Sequence, residues 1–193
     1  ASAQLANLLQ AGNVDVVVLP GNREQIYSAL DTGVADMAIT ASLPDNKIYD
    51  FEVLDSEELV LVAHRLLAQS LGGQTITPAL LNTLPVVSYD SQLPLIRQYF
   101  DTVFKQSCTS KIIARCPDIR ALAGIVSTGV GYTVLPDYIC HDDIQSGRLI
   151  KLGPQGPENN LYLAWRKGAL AHPRLNYARD VLMAFSNINK YAK

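Results

Sequence analysis

The segment Arg115-Cys-Pro-Asp-Ile-Arg-Ala-Leu-Ala-Gly-Ile-Val-Ser-Thr-Gly-Val-Gly-Tyr-Thr-Val-Leu-Pro136 sets the architecture of this chain. Ile119, Leu122, Ala123 and Val126 follow the i, i+3, i+4, i+7 spacing of one buried helix face, with Pro117 and Asp118 suited to the first turn. Gly129 lets the chain leave the helix, because without a Cβ it adopts positive φ at little cost. Tyr132 to Leu135 is short, apolar and partly β-branched, which suits a strand buried on both faces, and Pro136 ends its ladder. The segment therefore predicts an αβ unit of a parallel, helix-covered sheet. A dinucleotide fingerprint needs strand, glycines and then helix, the reverse of the order around Gly129 and Gly131, so no nucleotide cofactor is expected.

Toward the N-terminus, Lys111 to Ala114 reads as a strand and Pro94 to Gln106 as an amphipathic helix with Leu95, Ile96, Tyr99, Phe100 and Val103 inward. Leu84 to Tyr89 is a further strand, and Thr77-Pro78 opens a short helix as N-cap and N1. Arg65 to Gln74 shows no periodicity and ends in Gly72-Gly73; Glu58 to His64 is a strong strand and Phe51 to Ser56 an outer one. Asp36 to Ser42 is a buried strand whose end reaches Thr40 and Ser42. Asn22 and Gln25 have capping-box spacing before the helix Arg23 to Asp31. Val14 to Leu19 reads as a Val-rich strand, and Ser2 to Gln10 as a short helix with Leu5, Leu8 and Leu9 on one side. Beyond Pro136 come a short helix with Tyr138, Ile139 and Ile144, the strand Arg148 to Leu152, and a turn-rich run from Gly153 to Asn160. The strand Leu161 to Trp165 and the helix Leu175 to Asn187, with Ala178, Val181, Leu182 and Phe185 inward, close the chain.

The α/β alternation occurs twice, and Leu59 to Ala63 and Leu161 to Trp165 stand at the change-over points. The predicted fold is α/β, with two Rossmann-like lobes joined by two crossing strands. Lobe I comprises residues 1–62 and 163–193, and lobe II residues 63–162. A cleft between such lobes is the usual place for a small ligand.

Forty-eight per cent of the residues are hydrophobic and 18 % are charged, with a net charge of −2, so no bulk attraction to DNA, RNA or anionic membrane is expected. Cys108, Cys116 and Cys140 lack any short paired spacing, which argues for reduced thiols and a cytosolic setting. No apolar run reaches about 18 residues, the length that would predict a membrane span. The chain opens on Ala1 without an initiator Met, as expected of a piece of a longer protein.

The pattern resembles the effector-binding domain of LysR-type transcriptional regulators, a branch of the type 2 periplasmic-binding-protein fold. The resemblance is carried by Gly21-Asn-Arg-Glu-Gln-Ile-Tyr-Ser-Ala-Leu30, Gly33-Val-Ala-Asp-Met-Ala-Ile39 and Leu59-Val-Leu-Val-Ala-His64. Pro117 to Pro136 and Leu161-Tyr-Leu-Ala-Trp-Arg166 complete it, so that it spans nearly the whole chain. It implies a bacterial, cytoplasmic regulator whose small-molecule effector alters dimer geometry and the DNA binding of the intact protein. DNA would be met only by an N-terminal winged helix-turn-helix, which this chain lacks, as it lacks the domain's usual first strand. The implied homodimer is antiparallel, the Ser2 to Gln10 helix and Val14 to Leu19 strand meeting the Asp137 to Ser146 helix and Arg148 to Leu152 strand of a second copy. Two other classes share the fold: an extracytoplasmic solute-binding protein, marked by a leader or anchor cysteine, and a metabolite-processing enzyme, marked by turnover.

In the family, effectors sit between the lobes, on strand C-termini and helix N-termini. Carried over by position, this points to Ser2, to Pro20, Gly21 and Asn22, to Ala41 and Ser42, to Ser88 and Tyr89, and to Cys116, Pro117 and Asp118. Free N–H donors at such helix starts suit an anion, although Asn22 and Ser2 equally suit plain capping. Asp118 cuts against a carboxylate ligand, since it competes for the same donors. A hydroxylated or amine-bearing effector fits as readily.

Cys140-His-Asp-Asp143 gathers metal-ligand types, but at adjacent helix positions they point around the axis, so no metal is expected. Buried or pocket-lining thiols, not a redox switch, are the expectation for Cys108 and Cys116. No nucleophile elbow or H-E-x-x-H motif occurs, and His64, His141 and His172 are far apart in sequence, so no catalytic residues are assigned.

Overall fold

A computed structural model describes residues 2–10, 12 and 14–184, with side chains from residue 5 onward. The chain forms two compact units, residues 1–56 with 159–193, and residues 57–158. It crosses from the first to the second inside the strand β2 (Tyr49–His64) and returns at the start of β7 (Glu158–Arg166).

In the first unit the strand order is β1 (Ala38–Thr40), β7, β2. β1 and β7 are antiparallel, with Ala38 opposite Ala164 and Thr40 opposite Tyr162. Helices α1 (Ser2–Gln10), α2 (Arg23–Asp31) and α8 (Pro173–Ala184) accompany this sheet. Leu8, Leu54, Leu163, Trp165 and Leu182 make one buried cluster, and Leu30, Tyr49 and Ala164 another. The predicted capping box is present: Asn22 Oδ1 accepts from Gln25 N at 3.0 Å, and Gln25 Oε1 accepts from Asn22 N at 2.9 Å.

In the second unit β2 is flanked by β6 (Leu149–Lys151) and β5 (Tyr132–Pro136), both antiparallel to it. Beyond β5 lie β3 (Val86–Ser88) and β4 (Ile112–Arg115), parallel to one another, with β3 also parallel to β5. The helices are α3 (Arg65–Ser70), α4 (Pro78–Leu81), α5 (Pro94–Tyr99), α6 (Ile119–Val126) and α7 (Asp137–Gln145). Alternation along β2 divides the core in two. Leu59, Leu61 and Ala63 pack with Ile96, Tyr99 and Phe100 of the α5 side, while Val60 and Val62 pack with Leu122, Ala123 and Val126 of α6.

Several expectations are corrected. Val14 to Leu19 is not a strand: Val14 and Val16 touch the first core, but Val17, Val18 and Leu19 are 77 %, 64 % and 52 % exposed. β-favouring composition makes a strand only where a neighbour completes the ladder, and β1 pairs with β7. The two strands read from Phe51 to Ser56 and Glu58 to His64 are one, interrupted in pattern by the polar run Asp55-Ser56-Glu57-Glu58 where β2 leaves the first unit. Arg65 to Ser70, read as aperiodic, is helical and begins where His64 Nδ1 accepts from Leu66 N at 3.3 Å. The helix from Pro94 loosens into a π-helical turn over Phe100–Phe104, ended by Lys105 at φ 54°. Residues 185–187 of the predicted last helix, with Phe185, lie outside the described residues.

Candidate functional site

The site in the second unit follows from strand order. β3 leads through α5 to β4 on one side of it, at the sheet edge, and β4 leads through α6 back to β5 on the other side of β3, between β3 and β2. α5, which follows β3 toward β4, and α7, which follows β5 toward β6, pack with different halves of the core, so the chain departs in opposite directions at the carboxyl ends of β3 and β5. This is a topological switch point, where open α/β sheets bind ligands. A crevice opens there among Ser88, Tyr89, Pro94, Leu95, Leu122 and Thr133, too narrow in this structure for a water molecule.

Sequence-predicted residues converge on this point. Ser88, 1 % exposed, ends β3, and its Oγ donates to the Asp90 carbonyl at 2.8 Å. Cys116 N donates to Ser88 O at 2.9 Å, which sets the end of β4 beside the end of β3. Tyr89 and Cys116 are half-buried against the α6 core. Asp118 is the N-cap of α6; its Oδ1 accepts from Arg120 N at 2.8 Å and Ala121 N at 3.2 Å. It therefore occupies the donors that an anion would use. Pro117 is exposed beside it. The N-cap of α5, Leu93, carries no capping side chain.

In the first unit Pro20, Gly21 and Asn22 lead into α2, and Ala41 and Ser42 follow β1. Asn22 is exposed and committed to its capping box. Ser42 meets α2 at Tyr27, about one and a half turns beyond Asn22. The Tyr27 hydroxyl donates to Ser42 O at 2.9 Å, Ser42 Oγ lies 2.9 Å from Thr40 Oγ1, and Ser42 N donates to Thr40 Oγ1 at 3.1 Å. Tyr27 packs against Tyr49 with ring centroids 5.0 Å apart and ring planes tilted by 40°, and the Tyr49 hydroxyl donates to Asp31 Oδ1 at 2.5 Å. Burial first, then this bond, pushes the Tyr49 phenol up to about 12. The Ser2 side chain lies outside the described residues. A shallow depression over α2, lined by Glu24, Ser28 and Thr32, gathers none of the predicted residues except the cap partner Gln25.

Tyr27 and Thr133 were not anticipated from sequence as site residues. Tyr27 had a signal: it stands beside the apolar Ile26, Ala29 and Leu30, where a half-buried hydroxyl needs a partner. Thr133 had none, because in Tyr-Thr-Val-Leu a threonine reads as an ordinary β-former.

The Cys140-His-Asp-Asp143 run disperses as its helical spacing requires. Cys140 is buried, its thiol pushed up to about 12 by burial and then by the charges of Asp143 and Asp137. His141 Nε2 meets Gln145 at 2.8 Å, and Asp143 pairs with Arg148 at 3.2 Å. Cys108 Sγ lies 3.4 Å from the Tyr132 hydroxyl, and all three cysteines are free. Among the described residues no helix is long and apolar enough to cross a membrane.

Comparison with known proteins agrees with this architecture. Residues 4–185 match the model of the LysR substrate binding domain. The HTH-type transcriptional regulator AbaB of Streptomyces antibioticus is 33 % identical over 168 residues, 84 % of this chain and 56 % of that protein. The chain thus spans about half the length of this relative. Among solved structures, the C-terminal domains of a LysR family protein from Agrobacterium tumefaciens superpose with a TM-score of 0.82 at 16 % identity, covering 97 % of this chain and 89 % of that one. The regulatory domain of CcmR from Synechocystis PCC6803, in complex with 2-PG, gives 0.78 at 18 % identity, covering 96 % and 90 %. A family match over nearly every residue, and a curated relative one-third identical over most of the chain, place this chain in the LysR substrate-binding domain family of transcriptional regulators.

Proposed function

We propose that this chain is the effector-sensing and dimerising part of a longer cytoplasmic LysR-type regulator. A small molecule is expected at the carboxyl ends of strands, in a chain read as two lobes, residues 1–62 with 163–193 and residues 63–162. The observation that carries this reading is the convergence of Ser88, Tyr89 and Cys116 on the switch point of the second unit. The Thr40–Ser42 loop supplies the first unit's contribution, with Asn22 at the start of α2. CcmR, a structural neighbour, holds 2-PG in its regulatory domain, which supports ligand sensing as the role of the fold.

The domain acts by binding and not by turnover. Ser88 is bonded to a carbonyl, Ser42 to a threonine and a tyrosine, and His64 and His172 to backbone N–H groups of their own turns. The match to a family of transcriptional regulators is what supports this reading. The effector shifts lobe and dimer geometry through different affinities for the two arrangements, and the change reaches DNA through a domain elsewhere in the parent protein.

A thermal-shift screen of metabolites, repeated on Ser88→Ala and Asn22→Ala, tests this. The expected hit stabilises the native chain and loses most of that stabilisation in Ser88→Ala, with a smaller loss in Asn22→Ala. A hit whose shift is unchanged in both variants places the ligand elsewhere.

A further inference from the structure

Among the described residues two non-glycines stand at positive φ, Leu93 at 55° and Lys105 at 54°. They bracket one segment, α5 with the π-helical turn Phe100–Phe104 that continues it. At Lys105 this backbone ends the helix, a place where left-handed residues are common. Leu93 is the costlier case. Left-handed backbone brings its Cβ close to the following carbonyl oxygen, and Pro94 behind it favours extended backbone in the residue it follows. No side chain caps α5 there, whereas Asn22, Thr77 and Asp118 cap α2, α4 and α6. Residues held in this way persist only where their surroundings enforce it, and they gather at clamps and switches.

What enforces it here is the seat of the segment on the crevice at the ends of β3 and β5. Pro94 and Leu95 wall that crevice, and Ser88, Leu122 and Thr133, each 1 % exposed, line it from the sheet and α6. The half-buried Leu93 side chain rests against the α5-side core, and the space left under the first turn of α5 is too narrow for water. Beyond that turn the helix is anchored. Ile96, Tyr99 and Phe100 are buried, and the Tyr99 hydroxyl donates to Pro154 O at 2.5 Å. Before it, Ser91 and Gln92 are exposed, in a turn closed by Gln92 N donating to Asp90 Oδ1 at 2.7 Å.

We infer that residues 89–95 are a strap with two states. In the closed state Leu93 is left-handed and the crevice is shut. In the open state Leu93 relaxes to extended backbone, the 2.7 Å bond from Arg97 N to Leu93 O is lost, and Ser88 and Thr133 meet solvent. The strap belongs to the second unit alone; that it admits the effector rests on the reading that the ligand sits at this switch point. A ligand that needs the open state binds more weakly by the fraction of chains that are open, so a change that eases opening tightens binding.

The test labels Ser88→Cys with methyl methanethiosulfonate in increasing low urea, with Cys140, 0 % exposed in the same unit, as the internal reference and mass spectrometry as the readout. Opening a strap exposes little surface and global unfolding much, and urea dependence follows the surface exposed. The introduced thiol is therefore expected to react at a rate nearly flat in urea, while Cys140 reacts at a rate that climbs steeply. A steep climb for both means that only unfolding reaches the crevice, and overturns the strap. Reaction as fast as that of a free thiol overturns the closed state. In Leu93→Ile, shown to be folded by its thermal melt, side-chain volume is kept and β-branching makes left-handed backbone costlier. Labelling should quicken about fivefold, the scale of a left-handed penalty. With Ser88 intact, hydrogen exchange of the Arg97 amide should quicken in step. Unchanged rates in Leu93→Ile overturn the role of Leu93. A strap that opens while every screen hit ignores Ser88→Ala stands without the effector reading; one that stays shut while hits depend on Ser88 falls and leaves that reading in place.

Discussion

Gly156 is a glycine for want of space. A Cβ built there would stand 1.7 Å from the Leu59 carbonyl oxygen and 2.9 Å from Tyr99 Cε2, beside the Leu59 N to Pro157 O bond of 3.0 Å. Gly156→Ala must push backbone away from backbone, and a loss of about 3 kcal/mol or more is expected in the urea midpoint, at the upper end for overpacking. Gly124, inside α6, has nothing within 4 Å of its missing Cβ, so Gly124→Ala should gain about 1 kcal/mol, the helix-propensity difference. Equal effects at the two glycines would contradict this packing. Sequence distinguishes them poorly. Gly156 sits in a turn-rich run where glycine looks ordinary, and its necessity comes from a strand nearly a hundred residues earlier. Asn22 and Thr77 were legible because their partners, Gln25 N and Leu80 N, lie three residues away.

At the scale of elements, α6 and β5 were readable because helix face, glycine exit and buried strand each leave a local pattern. Asp118 accepts from two N–H groups at the start of α6, and Asp118→Ala is expected to cost about 1 kcal/mol, measured by denaturant unfolding, with Asp118→Asn recovering most of it. If Asn restores nothing, the carboxylate has a role beyond capping. β2 was less readable. A strand that serves two cores carries polar residues where it leaves one for the other, and Glu57, only 7 % exposed, looks from sequence like a surface break. Val14 to Leu19 erred the other way, since composition reports what a segment favours and not whether a partner strand lies beside it.

For the whole molecule, the double α/β alternation was visible, while the meeting of Ser88 with Cys116 was legible only through the family resemblance, because the 27 residues between them include α5 and β4. The proposed dimer belongs to this scale. Leu9 and Val17 in one unit and Tyr138 and Ile150 in the other are 54 %, 77 %, 56 % and 37 % exposed. Large apolar side chains left bare in this way on α1, after it, and on α7 and β6 are what a second copy would cover. Sedimentation at tens of micromolar should show a dimer, and Tyr138→Arg together with Val17→Arg a monomer of unchanged fold; a native monomer at that concentration removes the dimer.

β2 also sets a timetable for synthesis. Its Leu59 to Ala63 stretch pairs with β5, and β1 pairs with β7, so each waits for a strand made far downstream. At ribosomal speeds of about 5–20 residues per second, Val60, Leu61 and Val62 spend roughly 4–15 seconds, and β1 longer still, before a partner emerges. Until then the apolar run Leu59 to Ala63 of β2 is unpaired with β5 on the nascent chain. The cell must therefore shield it during that interval, and yield on expression should depend on chaperone capacity more than on the stability of the finished fold.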